Sequence, residues 1–286
     1  MQFASVLTGS EEVAVLVDRA RGVVPIRDIS PGNSGDLLAV IRSGELDSII
    51  AAADAAPDSW FASVDSVNFV APYRHPRMLW GIGLNYVAHA ADLAEAVPEE
   101  PASFIKGDHT VIGPGEGIPI PVQSVRTTAE AELGVVIGRY CRDVEPEDAL
   151  SYVLGVCPVL DQTAEDILEL NPRFLTRAKN FPGFFSFGPR IVPLDEATAV
   201  AGSLAEVTVS TVVNGTEFRT NTISNMRFDP AYLISFHSKV MPLYPGDIIS
   251  TGTPGAIHIK AGDVAECRID GVGVLTNPVV APNQSQ

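Results

Sequence analysis

The sequence predicts a mixed α+β chain that is mainly β. Short β-branched runs recur between Gly/Pro turns along most of its length. Asn214-Gly215 joins two such runs, the strongest short signal for a tight hairpin. Helical spacing of apolar residues is confined to a few segments.

Taken in order, "EEVAVLVD" has the texture of a strand that opens a domain. "GDLLAVIRSGELDSIIAAADAA" follows, with Leu37, Leu38, Val40, Ile41, Leu46, Ile49 and Ile50 near helical spacing. Pro72 and Pro76 in "VAPYRHPRMLWGIGLNY" mark a boundary between a small N-terminal α+β domain, 1–75, and a larger domain, 76–286. Beyond it, "TVIGPGEGIPIPV", "LGVVIG", "FGPRIVP", "VTVSTVVNGTEF", "PGDIISTGTPG" and "VAECRIDGVGVL" read as strands bounded by turns. Three helical candidates interrupt them. They are "NYVAHAADLAEAV", "EPEDALSYVLG" with acids in its first turn, and "PAYLISFHSKV" opened by Pro230.

The 286 residues are 46% hydrophobic and 19% charged, a balance with ample material for a core. Nineteen basic against 35 acidic residues give a net charge of -16, and no dense Lys/Arg cluster offsets it. Such a field repels polyanions, so nucleic acid is not an expected partner. No apolar run approaches the roughly 20 residues that span a bilayer, and the amino terminus lacks the pattern of a secretory signal. Cys141, Cys157 and Cys267 are odd in number and widely spaced, which argues against a disulfide framework or a zinc-thiolate site. They suit a reducing cytoplasm, as small buried apolar groups.

"GIGLNY" and "GVGVLTN" each lack the third glycine of a dinucleotide fingerprint and read as turns. No G-x-S-x-G elbow or P-loop is present. "TTAEAELGVVIG" is more informative, because Glu130 and Glu132 lie two positions apart on a strand and therefore point the same way. Two like charges on one face need water, a basic partner or a cation to offset their repulsion. Asp161, after the apolar segment in "CPVLDQTAED", could join them. Three carboxylates would make an all-oxygen site for a hard cation, Mg²⁺ or Mn²⁺, with Ca²⁺ a further option. Alone, such a pair is more often a solvated strand face. His89 and Asp92, three positions apart on a helical stretch, could form a base and the acid that orients it, or a surface ion pair. Lys179 lies among aromatic and small residues in "RAKNFPGFF", where burial would set its ammonium against an anion.

Taken together and in order, "GIGLNYVAHAADL", "AEAELGVVIG", "LDQTAED", "RAKNFPGFFSFGP", "NGTEFRT", "PGDIISTGTPG" and "GVGVLTNPV" resemble the successive motifs of the fumarylacetoacetate hydrolase family over roughly residues 76 to 280. The resemblance implies a fumarylacetoacetase-like β-roll catalytic domain behind a small N-terminal domain, a homodimer, and a divalent metal. It implies a small 2-oxo acid or 1,3-dicarbonyl substrate. Residue by residue, it makes Glu130, Glu132 and Asp161 the metal ligands. His89 and Asp92 become the catalytic dyad on a segment that orders over substrate, with Asp92 one methylene shorter than the usual Glu. Lys179 becomes the lysine facing the metal-bound oxygens, and Thr253 the threonine of the substrate loop.

Two departures stand out. Relatives commonly read T-A-R-D where this chain has Thr163-Ala164-Glu165-Asp166, so Glu165 reverses a charge that can grip a substrate carboxylate. Arg177 or Arg173 could take that role. Gly107 follows Lys106 where K-P is usual, leaving Lys106 as a further substrate contact. The leading expectation is metal-dependent hydrolysis of a C–C bond in an acylpyruvate-like compound. Decarboxylation of an oxaloacetate-like acid, hydration or isomerisation of a 2-oxo acid, and a non-catalytic binding role are the alternatives.

Overall fold

A computed structural model describes residues 1–33, 35–87 and 98–281. The chain is mainly β with interspersed helices, as its sequence predicts, and three sheets organise it. The N-terminal sheet runs Arg190–Ile191, Gln2–Thr8, Glu11–Asp18, Gly22–Pro25, and Asn68–Phe69 also pairs with Gln2–Thr8. The segments on either side of residue 75 are therefore joined by sheet hydrogen bonds. They also share a core in which Phe3, Leu16 and Leu37 meet Val136, Val159 and Phe185.

The largest sheet has the order Ala102–Lys106, Leu79–Gly83, Ile248–Ser250, Thr127–Ile137, Val153–Ala164, Phe185–Phe187, Val111–Ile112, with Ala256–Ile259 also on Thr127–Ile137. Its centre is the long antiparallel pair Thr127–Ile137 and Val153–Ala164. Thr127–Ile137 is buried at every position, so both of its faces need partners. Ala129, Ala131, Leu133, Val135 and Ile137 form one face and enter the principal hydrophobic core. The other face begins with Thr128, Glu130 and Glu132 and turns apolar at Val136, which packs with Cys157 and Val159 in the second core. At Gly134, between the two halves, an added Cβ would lie 2.6 Å from Val159 Cγ2, so the packing admits no side chain. The third sheet, Thr216–Thr222, Thr208–Val213, Val264–Ile269, Gly273–Val280, Ile118–Pro119, closes over the principal core.

Local chemistry explains most boundaries. Asn214 and Gly215, at φ 51° and 77°, connect Val213 to its cross-strand partner Thr216, a two-residue hairpin turn. Pro230–Val240 is a helix capped by the Asp229 carboxylate, which accepts from the Tyr232 amide at 2.7 Å. The N-terminal helical stretch divides at Gly44, whose φ of 75° ends Leu37–Ser43 before Leu46–Ala55 begins. "EPEDALSYVLG" is helical only over Pro146–Ala149 and a following turn, and its last residues enter the strand Val153–Ala164. "GIGLNY" is not simply a turn. Gly81 sits inside the strand Leu79–Gly83, where a Cβ would strike the Phe104 ring at 2.2 Å. All three cysteines are buried and free. Among the described residues, no helix is long and apolar enough to cross a membrane.

Candidate metal centre

The central strand pair sets the geometry. Asp161 is the direct antiparallel partner of Glu130, and Val159 is the partner of Glu132. Cross-strand partners share a face, so two strands deliver three carboxylates to one side of the sheet. Glu130, Glu132 and Asp161 are all buried, and each offers an oxygen within 4.8 Å of the others'. Carboxylates taken so far from water need compensating charge.

Two ammonium groups supply it. Lys106, the last residue of Ala102–Lys106, places its Nζ on Asp161 Oδ1 with its side chain fully buried. Lys179, ending the short helix Leu175–Lys179, donates to Asp161 Oδ2 at 2.6 Å and Glu130 Oε2 at 2.9 Å. The Lys179 ammonium also stands 5.1 Å from the centre of the Phe104 ring, the group that Gly81 makes room for. Asn180 holds the two lysine-bearing segments together. Its Oδ1 accepts from the Gly107 amide at 2.7 Å, and its Nδ2 donates to the Ile105 carbonyl at 3.3 Å.

Hydroxyls and one amide complete the cluster. Thr128 and Thr163 donate to Glu130 Oε1 at 3.0 and 2.5 Å. Ser250 Oγ and the Gly252 amide donate to Glu132 Oε2 at 2.5 and 2.9 Å. Gly252 has φ +97°, and a Cβ there would lie 2.8 Å from Asn85 Cβ, so the loop needs glycine to approach. The carboxyl of Glu132 is raised to about 8 by burial and by the charges of Asp161 and Glu130, against the pull of Lys179. Burial and the neighbouring Lys179 charge lower Lys106 to about 8, with Asp161 opposing. Lys179 is held above the usual lysine range because the three acids outweigh its desolvation.

This donor set fits a hard divalent cation. It is all oxygen, anionic and buried, and the one cluster of three metal-ligating side chains among the described residues. With an oxygen from each acid within 4.8 Å of the others', the three lie close enough together to share one ion. The acids outnumber the ammoniums three to two, so a bound cation would offset the crowding that raises the Glu132 carboxyl.

The remaining sequence candidates divide. Thr253 is buried in the loop after Gly252, its Oγ1 bonded to the Gly255 backbone. Arg177 is exposed, its guanidinium 6.0 Å from the Phe174 ring rather than among the acids. Glu165 pairs with Arg126 at 2.8 Å, and Arg126 also reaches Glu169, so the charge reversal at 165 is offset by a neighbouring cation. Burial raises the Glu165 carboxyl and Arg126 opposes the rise. His89 and Asp92 lie outside the described residues. Asn85, four positions before His89, donates to the Thr251 and Phe228 carbonyls at 2.7 and 2.9 Å, anchoring that part of the chain beside the Glu132 loop.

Sequence reasoning did not single out Thr128, Thr163, Ser250 or Gly252. The two threonines were detectable, each two residues from an acid on the same strand face. Ser250 and Gly252 were not, because their approach to Glu132 depends on which strands are neighbours.

Residues 78–280 match the family described as fumarylacetoacetate (FAA) hydrolase C-terminal. The mitochondrial oxaloacetate tautomerase fahd2 of Xenopus laevis is 30% identical over 291 residues, covering 98% of this chain and 89% of that protein. A fumarylacetoacetate hydrolase from psychrophilic Exiguobacterium antarcticum has a similar structure, with a TM-score of 0.82, 29% identity, and 98% and 99% of the two chains covered. Maleylpyruvate hydrolase from Sphingobium sp. SYK-6, solved with manganese(II) and pyruvate, shares the fold at a TM-score of 0.82 and 24% identity over 99% and 100% of the chains. The ordered motifs, the β architecture and these likenesses converge: this chain belongs to the fumarylacetoacetate hydrolase family.

Proposed function

We propose that this chain is a divalent-metal-dependent enzyme that processes a 2-oxo acid or 1,3-dicarbonyl compound through an enolate, and that its reaction is hydrolysis of a C–C bond in an acylpyruvate-like substrate. The observation that carries this reading is the buried row of Glu130, Glu132 and Asp161 faced by two buried ammoniums. The same three acids would hold magnesium or manganese, which when bound supplies Lewis-acid polarisation of a substrate oxygen. The manganese and pyruvate in the Sphingobium hydrolase support that chemistry.

The chain's own residues do the rest. Lys179 and Lys106 stand ready to release Asp161 and stabilise negative charge developing on the substrate, in a site where water does not screen them. Thr253 and its loop line the substrate end. His89, oriented by Asp92, takes a proton from water as that water attacks the distal carbonyl. The C–C bond then breaks, its electron pair stays with the 2-oxo acid fragment as an enolate, and protonation gives the 2-oxo acid beside a carboxylic acid. Two copies of the chain are proposed to assemble, as the family resemblance implies.

A second reading, keto–enol tautomerisation of oxaloacetate, is favoured by the Xenopus tautomerase, which matches nearly the whole chain. It uses the same enolate and needs no attacking water. Acetylpyruvate and oxaloacetate, each with magnesium, manganese or EDTA, separate the readings by absorbance and product mass. Metal-dependent pyruvate and acetate from acetylpyruvate support hydrolysis, whereas enol–keto conversion of oxaloacetate without mass change supports tautomerisation. No metal-dependent change in either compound, by absorbance or by mass, rejects both. His89→Ala should slow hydrolysis by about 10²–10⁴-fold and leave metal affinity in place.

A further inference from the structure

A second charged feature lies away from the acidic cluster. An open cleft of about 600 Å³ runs between the N-terminal sheet, at Gln2, Val17 and Arg190, and the turn that links Val264–Ile269 to Gly273–Val280. That size falls within the range of small-molecule sites. In a chain with 19 basic and 35 acidic residues, three arginines line it: Arg19, Arg190 and Arg268. Asp270 is the one acidic residue in its lining.

The arginines are not equivalent. Arg19 pairs with Glu196 at 3.1 Å, and Arg268 pairs with Glu266 at 2.8 Å. Arg190 has no carboxylate partner among the described residues, and its buried Nε makes no hydrogen bond. Its guanidinium has an aromatic neighbour, the Phe69 ring at 6.0 Å. Backbone register fixes it in place, because Arg190 pairs with Ala4 in the N-terminal sheet. Its pKa is lowered by partial burial and by the Arg19 charge, against the opposing pull of Glu196, as expected where cations crowd. A planar guanidinium with no carboxylate partner among the described residues, fixed on a strand at the wall of a ligand-sized cleft, matches a carboxylate or phosphate better than it matches water.

We propose that this cleft is a second ligand site, in which Arg190, supported by Arg19 and Arg268, binds a small organic or inorganic oxyanion at the junction of the N-terminal sheet with the third sheet. The site is separate from the acidic cluster and does not depend on the activity assigned there. Occupation would tie the two sheets together through a shared ligand, and so would stabilise the whole molecule.

The test is titration of the full-length, magnesium-loaded protein with inorganic phosphate and, separately, with succinate, at ionic strength fixed with chloride. Calorimetry and the melting temperature are the readouts. One saturable event with a rise in melting temperature is expected, and the more effective anion tells phosphate from carboxylate. Arg190→Gln should weaken it about tenfold or more, the loss of a charged hydrogen bond. Lys179→Met, which alters the other anion-attracting centre, should leave it unchanged. If Arg190→Gln fails to fold, Arg268→Gln replaces it, with several-fold weaker binding expected. Absence of saturable binding, or binding unchanged by Arg190→Gln (or by Arg268→Gln in its place), overturns the proposal, and its loss in Lys179→Met would then assign it to the acidic cluster.

Discussion

Asp161→Asn in the metal-free protein isolates the electrostatics of the cluster. Asp161 is the one acid within ion-pair distance of Lys106 among the described residues, and both side chains are removed from water. Removing its charge strands the Lys106 ammonium, whereas Lys179 keeps Glu130. Stranding one member of a buried pair costs about 3–5 kcal/mol. Lys106→Met strands nothing, since Asp161 retains Lys179, and should cost less than about 1 kcal/mol. The double variant should recover most of the Asp161→Asn loss, giving a coupling of about 2–4 kcal/mol. Urea unfolding in EDTA reads this directly. At a slope near 3 kcal/mol/M, the single variant's midpoint falls by about 1 M or more and the double variant's largely returns. The penalty also has a sign in pH. Lys106 is already depressed to about 8, below the usual lysine value, so its folded form loses stability as pH falls and the group is forced to charge. Asp161→Asn should therefore be worse at pH 6.5 than at pH 9. Additivity of the two substitutions within about 0.5 kcal/mol would refute the pairing.

Three further outcomes follow from the same structure. Ser250→Ala removes the shortest hydrogen bond to Glu132 and should weaken manganese binding about 10–100-fold by calorimetry, with little change in melting temperature. Gly252→Ala forces a side chain onto a φ of +97° and onto Asn85, and should lower stability by about 1–3 kcal/mol in urea unfolding. His237 is buried with Nδ1 on the Leu233 carbonyl, and burial holds its pKa below 6.5 against that bond. A base so depressed contributes stability above pH 6.5 that is lost as pH falls through its folded value. His237→Phe should accordingly lose less stability between pH 7.5 and pH 5 than the parent, and identical urea midpoint shifts would contradict this.

The residues that were legible in the sequence are those whose signal is local. The i, i+2 relation of Glu130 and Glu132 needs only the strand repeat, and the Asn214-Gly215 turn and the Asp229–Pro230 helix start need only neighbouring residues. The family motifs extended this reach to Asp161 and Lys179. What stayed illegible is non-local. Nothing near the first strand, Gln2–Thr8, in sequence indicates that Arg190–Ile191 pairs with it. The helix Glu165–Leu170 is likewise anchored by a partner remote in sequence, Arg126, which pairs with Glu165. Lys106 shows the same limit: its ion pair with Asp161 spans strands at distant positions of the sheet order.

The strand Thr127–Ile137 serves two hydrophobic cores at once, with bonded neighbours on both edges. Its amides should open to solvent only when the whole molecule comes apart, so hydrogen exchange there reports global rather than local stability. The chemistry is thus anchored in the least yielding part of the protein. A descendant of this sequence that acquires a new substrate can change its loops freely, while a shift of that strand by one position would turn its acids into the oily interior and end both fold and activity together.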